Sequence, residues 1–102
     1  MTDDKSKIPA PDPRLTGKQI RAARGVLNWS VRALAEASGV GSATITRYEM
    51  VDGVPQSRKG NLDRLRTVFE AHGIRFVTDR RDCYGLLFEI PEVRTRRKEA
   101  ET

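Results

Sequence analysis

A glycine between two short amphipathic segments constrains the fold of this chain more than any other feature. The segment spans residues 29–49 and reads WSVRALAEASGVGSATITRYE. Leu34 and Ala35 lie on one face of a predicted helix, and Gly39 can take the left-handed conformation that ends this helix without Cβ strain. Val40 then places an apolar side chain in the corner before the next helix. The sequence therefore predicts two helices that meet at a sharp turn.

A further helix is predicted before this segment, and polar residues mark its two ends. Thr16 can cap a helix that runs to about Leu27 and ends at Asn28. Ile20 and Ala23 give this helix an apolar face, because they lie one turn apart. The helix is therefore expected to pack its apolar face on the same core as the two helices that follow.

The helix after the turn has an apolar side and an outward side. It is predicted from residue 42 to residue 48. The helix before the turn can be capped by Ser30. Ile45 and Tyr48 lie one turn apart and are expected to anchor the later helix to the core. The outward side is small at its start and carries Arg47 near its end. Small residues let a backbone approach a base-pair edge, and a guanidinium can reach further along a DNA groove.

A fourth helix and a β-hairpin complete the predicted fold. The helix runs from about residue 61 to residue 72, after a turn-forming stretch. Its apolar stripe consists of Leu62, Leu65, Phe69 and His72. After Gly73 the apolar residues alternate, which predicts two strands joined by residues 79–82. The sequence therefore predicts a mainly α fold of four helices followed by a short C-terminal β-hairpin.

Composition divides the chain into four segments of one domain, since 102 residues provide one small core. Residues 1–15 are expected to form a flexible arm, because prolines and charges leave them little apolar surface to bury. Residues 16–73 are expected to form the helical domain and residues 74–90 the hairpin. Residues 91–102 are expected to form a charged flexible tail.

Charge and cysteine content narrow the class of protein. The net charge of +5 favours polyanions as partners. The single cysteine, Cys83, cannot form an internal disulfide, and we expect its side chain to be buried or half-buried. No apolar run approaches the roughly 20 residues that cross a bilayer, and no secretory segment is recognised. We therefore expect a soluble cytoplasmic protein without a membrane partner.

The sequence contains none of the motifs that indicate an enzyme. It shows no nucleophile with its base, no paired carboxylates, no glycine-rich phosphate loop and no metal-ligand spacing. His72 lacks a second histidine, so we expect it to pack at a helix end rather than to bind a metal. Trp29 is expected to pack against the helix that follows it rather than to stack on a base. We expect no catalytic activity, no metal and no cofactor.

Residues 20–72 resemble the Xre family of helix-turn-helix regulators, the group of phage repressors and Cro-like proteins. The resemblance covers slightly over half of the chain and rests on four stretches, IRAARGVLNWS, LAEASGV, ATITRYE and NLDRLRTVFEAHGI. It implies a compact helix-turn-helix DNA-binding domain similar to that of lambda repressor. The implied function is a sequence-specific transcriptional regulator, expected to be a repressor, that binds an inverted-repeat operator in double-stranded DNA as a homodimer.

Individual residues are candidates for contacts with DNA. The candidates for base contacts are Ser42, Ala43, Thr46 and Arg47. The candidates for phosphate contacts are Arg32, Thr44, Arg58 and Lys59. A charge on a short loop is as often solvated as bound, so Arg58 and Lys59 could equally face water.

The resemblance also implies a structural pair and reveals two departures. Arg24 and Glu49 match family positions that form a partly buried ion pair between the first and third helices. Val31 stands where the family usually has glutamine, which removes a common phosphate anchor. Gly41 stands where a serine or threonine cap is usual. These departures are expected to weaken binding to DNA.

Two alternatives stay open at the level of sequence. The hairpin carries an apolar edge formed by Leu86, Leu87, Phe88 and Ile90. This edge could pair with its twin in a dimer, or the hairpin could merely cover the helical core. The chain could also belong to another class, an antitoxin-like or anti-activator module that holds a protein partner and binds DNA weakly.

Overall fold

The computed structural model describes residues 14–58, 60–79 and 83–90. Within these residues, four α-helices precede one two-stranded antiparallel sheet. The elements are α1 Gly17–Leu27, α2 Val31–Ser38, α3 Ser42–Glu49, α4 Asn61–Ala71, β1 Ile74–Asp79 and β2 Cys83–Phe88. The predicted mainly α architecture with a C-terminal hairpin is thereby confirmed. None of the helices in the described ranges is long and apolar enough to cross a membrane.

Local hydrogen bonds explain where α1 and α2 begin and end. The Thr16 hydroxyl accepts a hydrogen bond from the Gln19 backbone N–H at 3.0 Å, and Gln19 Oε1 accepts one from the Thr16 N–H at 3.0 Å. This reciprocal capping box starts α1. Asn28 ends α1 in the left-handed conformation with φ 59°. Ser30 then caps α2 by accepting from the Ala33 N–H at 3.0 Å.

The turn between α2 and α3 is built as the sequence predicts. Gly39 ends α2 with φ 80°, a conformation that costs an L side chain strain. The Val40 side chain is 3% exposed and belongs to the core cluster. Gly41 precedes α3 without a side-chain cap, as expected from its lack of a hydroxyl. The turn therefore fixes the direction of α3 through one glycine and one apolar anchor.

The core extends one residue further towards the N-terminus than the predicted arm allows. Leu15 is 0% exposed, although it falls within the segment assigned to a flexible arm. It stands directly before the cap of α1, a position where an apolar residue packs against the fourth helical residue, here Ile20. Among the described residues, the other members of the buried core cluster are Ala23, Leu34, Val40, Ile45, Tyr48, Leu62, Leu65, Phe69 and Ile74.

The hairpin lies against α1 and α4. Its register pairs Phe76 with Leu86, and both side chains pack against the core cluster. Gln19 of α1 donates a hydrogen bond from Nε2 to the Gly85 carbonyl at 2.8 Å. Asp79 belongs to β1 rather than to the predicted connection, whose other residues lie outside the described ranges. Cys83 is exposed, which corrects the prediction that its side chain is buried or half-buried.

An aromatic cluster joins the start of α2 to the end of α4. The Trp29 ring lies 4.7 Å from the His72 ring, edge to face, and 6.4 Å from the Phe69 ring. Phe69 in turn contacts Phe76 of β1 at 5.8 Å. Trp29 is therefore a packing residue, as predicted. These ring partners, however, come from the end of α4 rather than from α2, the helix that follows Trp29. His72 caps the C-terminal end of α4, one residue beyond the last helical residue.

Candidate nucleic-acid interface

The outward side of α3 is exposed along its whole length. Ser42, Ala43, Thr46 and Arg47 are all exposed, whereas Thr44 between them is half-buried. This distribution follows from the helical period, since residues three and four positions apart share a face. The structure thus brings the four candidates for base contacts together on one open face of one helix.

The opposite side of α3 anchors it to the core. Ile45 is 0% exposed and Tyr48 is 1% exposed. The Tyr48 hydroxyl accepts a hydrogen bond from Asn61 Nδ2 at 3.1 Å, which ties the end of α3 to the start of α4. Two buried anchors one turn apart leave α3 little freedom to roll about its axis. The exposed face is therefore presented in one orientation.

A bidentate ion pair joins α1 to the end of α3. Arg24 donates from Nε to Glu49 Oε2 and from Nη2 to Glu49 Oε1, both at 2.9 Å. Its third nitrogen, Nη1, donates to the Trp29 carbonyl at 2.9 Å. The hydrogen bonds to Glu49 raise the pKa of Arg24, against the opposing effect of burial. The guanidinium therefore stays charged. Because the pair joins α1 to the buried Glu49 at the end of α3, its role is structural.

The start of α1 packs directly on the segment that follows α3. Arg21 donates to the Glu49 carbonyl and lies 3.1 Å from Asp52 Oδ1. The Gly17 N–H donates to the Gly53 carbonyl at 2.8 Å. A Cβ at Gly17 would lie 2.1 Å from the Val51 carbonyl oxygen, so only glycine permits this approach. These contacts hold the C-terminal end of α3 at a fixed height above α1.

A shallow basic depression of about 450 Å³ adjoins the C-terminal end of α3. Arg47 lines it together with Arg14, Gln56, Ser57 and Arg58. Sequence reasoning assigned only Arg47 and Arg58 a contact with DNA. It did not single out the other three, because Gln56 and Ser57 are uncharged and Arg14 lies far from α3 in sequence, so that only the fold brings Arg14 beside α3. One sequence signal could have indicated Arg14: it precedes Leu15, an apolar residue able to pack on the core.

A second depression, of about 310 Å³, adjoins the N-terminal end of α3. Arg32 and Ser42 both line it. Arg32 forms an i,i+4 ion pair with Glu36 at 3.5 Å, and these side chains are 85% and 72% exposed. Such a surface pair stabilises little, so Arg32 can exchange this partner at low cost. Arginines thus flank α3 at both ends, while Lys59, the remaining phosphate candidate, lies outside the described residues.

The described ranges hold no group of three or more His, Cys, Asp and Glu residues that could bind a metal ion. No known protein family and no curated protein matches this chain in sequence comparisons.

Proposed function

We propose that this chain is a sequence-specific DNA-binding regulator of the Xre helix-turn-helix type, and that α3 reads the major groove. The observation that carries the proposal is the exposed face of α3. It has short side chains at its start and Arg47 near its end, and a depression lined by arginine adjoins each end of the helix. α2, the glycine turn and α3 then act as the helix-turn-helix.

The dimensions of α3 suit a major groove. An α-helix with its side chains is roughly 10–12 Å across, which fits the roughly 12 Å width of the major groove in B-form DNA. The hydroxyls of Ser42 and Thr46 can donate to or accept from base edges, and the Ala43 methyl can contact a thymine methyl. Arg47 can form two hydrogen bonds with one guanine. The face therefore has a base-reading group on each of its turns.

Charged residues around α3 would position it on the duplex. Arg32 lies at its N-terminal end and Arg58 near its C-terminal end, so one strand of phosphates on each side of the groove could be contacted. The net charge of +5 supports attraction to DNA and release of counterions. Thr44, half-buried in α3, can add a hydrogen bond to a phosphate.

A dimer follows from the small size of the reading face. One helix of this length covers only a few base pairs, so two copies about 34 Å apart would read two half-sites of an inverted repeat. Occupancy of such an operator would repress transcription by excluding other proteins. The proposal requires no metal, cofactor or membrane.

Selection from a random pool of duplexes, followed by fluorescence anisotropy, tests the proposal. The wild-type chain should retain one inverted-repeat sequence, and its log affinity should fall linearly with log salt. Arg47→Ala should relax preference at one base position and cost about 1–3 kcal/mol. Arg58→Ala should weaken binding to all sequences and reduce the salt slope by about 1.

A matched control and a contrary outcome complete this test. Arg64→Ala removes an exposed arginine of α4 that lines neither depression, so affinity should change little. Equal losses for Arg47→Ala at every base position would make Arg47 a phosphate contact. No retention of any duplex at low salt would reject the proposal.

A protein-interaction module is the second candidate function. Exposed apolar side chains on β2, among them Leu87 at 54% and Phe88 at 51%, favour it, because such residues often mark a protein interface. The absence of a side-chain cap at Gly41 favours it as well, because this departure from the family is expected to weaken binding to DNA. Capture of a defined protein partner without retention of duplex DNA would support this alternative over the regulator.

A further inference from the structure

An open groove lies between α1 and β2, apart from the exposed face of α3. It has a volume of about 640 Å³, and its walls are mostly apolar. Ala22 of α1 forms part of one wall, and Tyr84 and Leu86 of β2 form part of the other. Pockets of roughly 300–1,000 Å³ with apolar walls and a few polar groups are typical of sites for small molecules. The size and the lining of this groove therefore suit a small ligand.

Hydrogen bonds hold the two walls of the groove at a fixed spacing. Gln19, which is 4% exposed, donates from Nε2 to the Gly85 carbonyl at 2.8 Å and so ties α1 to β2. The Gly17 N–H donates to the Gly53 carbonyl at 2.8 Å, which ties the start of α1 to the segment after α3. The space arises because Ala22, Gly53 and Gly85 carry little or no side chain. The groove is therefore formed before a ligand enters it.

Two polar side chains that line the groove have no partner among the described residues. The Lys18 ammonium, at the exposed start of α1, forms no ion pair or hydrogen bond within the described ranges. The hydroxyl of the half-buried Tyr84 has no partner there either. The acidic lining residue Asp52 is already engaged, since its Oδ1 lies 3.1 Å from Nη2 of Arg21. A cation and a hydroxyl donor thus remain for a ligand.

We propose that this groove binds a small monocarboxylate with an apolar chain. The chain lies along Ala22 and Leu86 and displaces water from the apolar walls, which favours binding. The carboxylate pairs with the Lys18 ammonium and accepts a hydrogen bond from the Tyr84 hydroxyl. A phosphate or a dianion fits less well, because an apolar wall leaves its further charges without partners.

The length of the groove sets the length of the chain. Residues 83–86 of β2 rise roughly 10 Å, and residues 16–22 at the start of α1 rise roughly 9 Å. An extended chain of about eight carbon atoms spans roughly 9 Å, so octanoate matches the groove and serves as the probe. With the efficiency typical of a small ligand in an open site, its dissociation constant is expected on the order of 0.1–1 mM.

Titration of the isotope-labelled full chain with octanoate, followed by its amide resonances in two-dimensional NMR, tests the site without DNA. The resonances of Gly53 and Gly85 should shift and saturate because both residues line the groove, whereas that of Gly60 should not shift. Acetate should leave all three unchanged, since it lacks the apolar chain. Octanamide and octylammonium should bind roughly threefold or more weakly than octanoate, because neither carries a negative charge.

One pair of substitutions tests the charge. Lys18→Gln should weaken octanoate binding roughly threefold and leave octanamide binding unchanged, so that the preference for the carboxylate disappears. Arg64→Gln is the matched control, since it removes the same charge from an exposed residue of α4 that does not line the groove. It should preserve the preference.

A second pair tests the space. Ala22→Phe should fill the groove and weaken octanoate binding roughly tenfold, because about two methylene groups lose their contact with the walls. Val26→Phe places the same ring one turn further along α1, outside the groove, and should bind octanoate like the wild type. Circular dichroism verifies that each variant is folded, and Ala22→Leu replaces Ala22→Phe if that variant is unfolded.

The outcomes separate this site from the proposed function, because the groove shares no lining residue with the exposed face of α3. Saturable shifts at Gly53 and Gly85 support the site whether or not the chain retains a duplex. No shift with octanoate overturns it, and shifts driven by protein concentration alone would make a second copy the occupant instead. Equal affinity for octanoate and octanamide, or equal losses for Ala22→Phe and Val26→Phe, would also overturn the proposal.

Discussion

Alanine substitutions at two glycines of α1 should change stability in opposite directions. Both Gly17 and Gly25 are helical, so helix propensity alone favours alanine at either position. The space around them differs. A Cβ at Gly17 would lie 2.1 Å from the Val51 carbonyl oxygen and 2.2 Å from the Tyr48 carbonyl oxygen. A Cβ at Gly25 would meet nothing within 4 Å.

The expected loss for Gly17→Ala follows from these distances. Real Cβ contacts do not fall below 3.0 Å, whereas the Cβ of an alanine at position 17 would lie 2.1 Å from the Val51 carbonyl oxygen. α1 and the backbone after α3 must therefore move apart by roughly 1 Å to accommodate it. Overpacking of this kind costs about 1–3 kcal/mol, and loss of the Gly17 to Gly53 hydrogen bond adds about 0.5–1.5 kcal/mol. The helical gain of up to about 1 kcal/mol offsets part of this.

We therefore expect Gly17→Ala to lower the free energy of unfolding by about 1–3 kcal/mol. Gly25→Ala should raise it by about 0.5–1 kcal/mol, because it removes conformational freedom from the unfolded chain without a clash. Urea unfolding followed by circular dichroism measures both, with the slope of each transition compared to ensure that one two-state reaction is observed.

An equal increase in the free energy of unfolding for Gly17→Ala and Gly25→Ala would refute this reasoning. That result would mean that the α1 to α3 contact relaxes at no cost and that only helix propensity acts. A loss at both positions would indicate instead that Gly25 packs against something in solution. Only opposite signs agree with a close approach confined to Gly17.

Three further substitutions test the contacts that shape the site. Glu49→Gln should cost about 2–3 kcal/mol in urea unfolding, because it leaves Arg24 partly buried without its charged partner; a loss below about 0.5 kcal/mol would show that the pair behaves as a surface pair. Thr16→Ala should cost about 0.5–2 kcal/mol by removing the cap of α1, and an unchanged urea midpoint would contradict that role. Asn28→Ala should lower the thermal midpoint because Asn28 has φ 59°, whereas Asn28→Gly should preserve it, and equal midpoints would argue against strain.

The helices were predictable because their signals are local. Thr16, Asn28, Ser30 and Gly39 stand at the ends of α1 and α2, and each acts through hydrogen bonds or backbone conformation within a few residues of itself. The bounds of α3 and α4 differ from the prediction by one residue each, because helix ends depend on the last hydrogen bonds rather than on apolar period. The change of period after Gly73 likewise announced the hairpin.

The exposed face of α3 was also predictable, and its surroundings were not. Burial of Ile45 and Tyr48 leaves Ser42, Ala43, Thr46 and Arg47 on the outward side of the 8-residue helix. The exposure of Cys83 was predicted wrongly, because an edge strand has one side covered and sequence does not say where the covering helix ends. Leu15 was assigned to the arm because a single apolar residue beside prolines gives no periodic signal.

The sequence by itself determined the four helices of the described residues, the turn between α2 and α3, and the side of α3 that faces outward, since each depends on contacts within about two turns of chain. Only the tertiary structure decided which distant residues meet. It placed Arg14 and Arg58 at the same depression beside α3 and formed a groove between α1 and β2. These features depend on how helices pack across long separations in sequence, where small differences in side-chain volume, such as the missing Cβ of Gly17, set the final geometry.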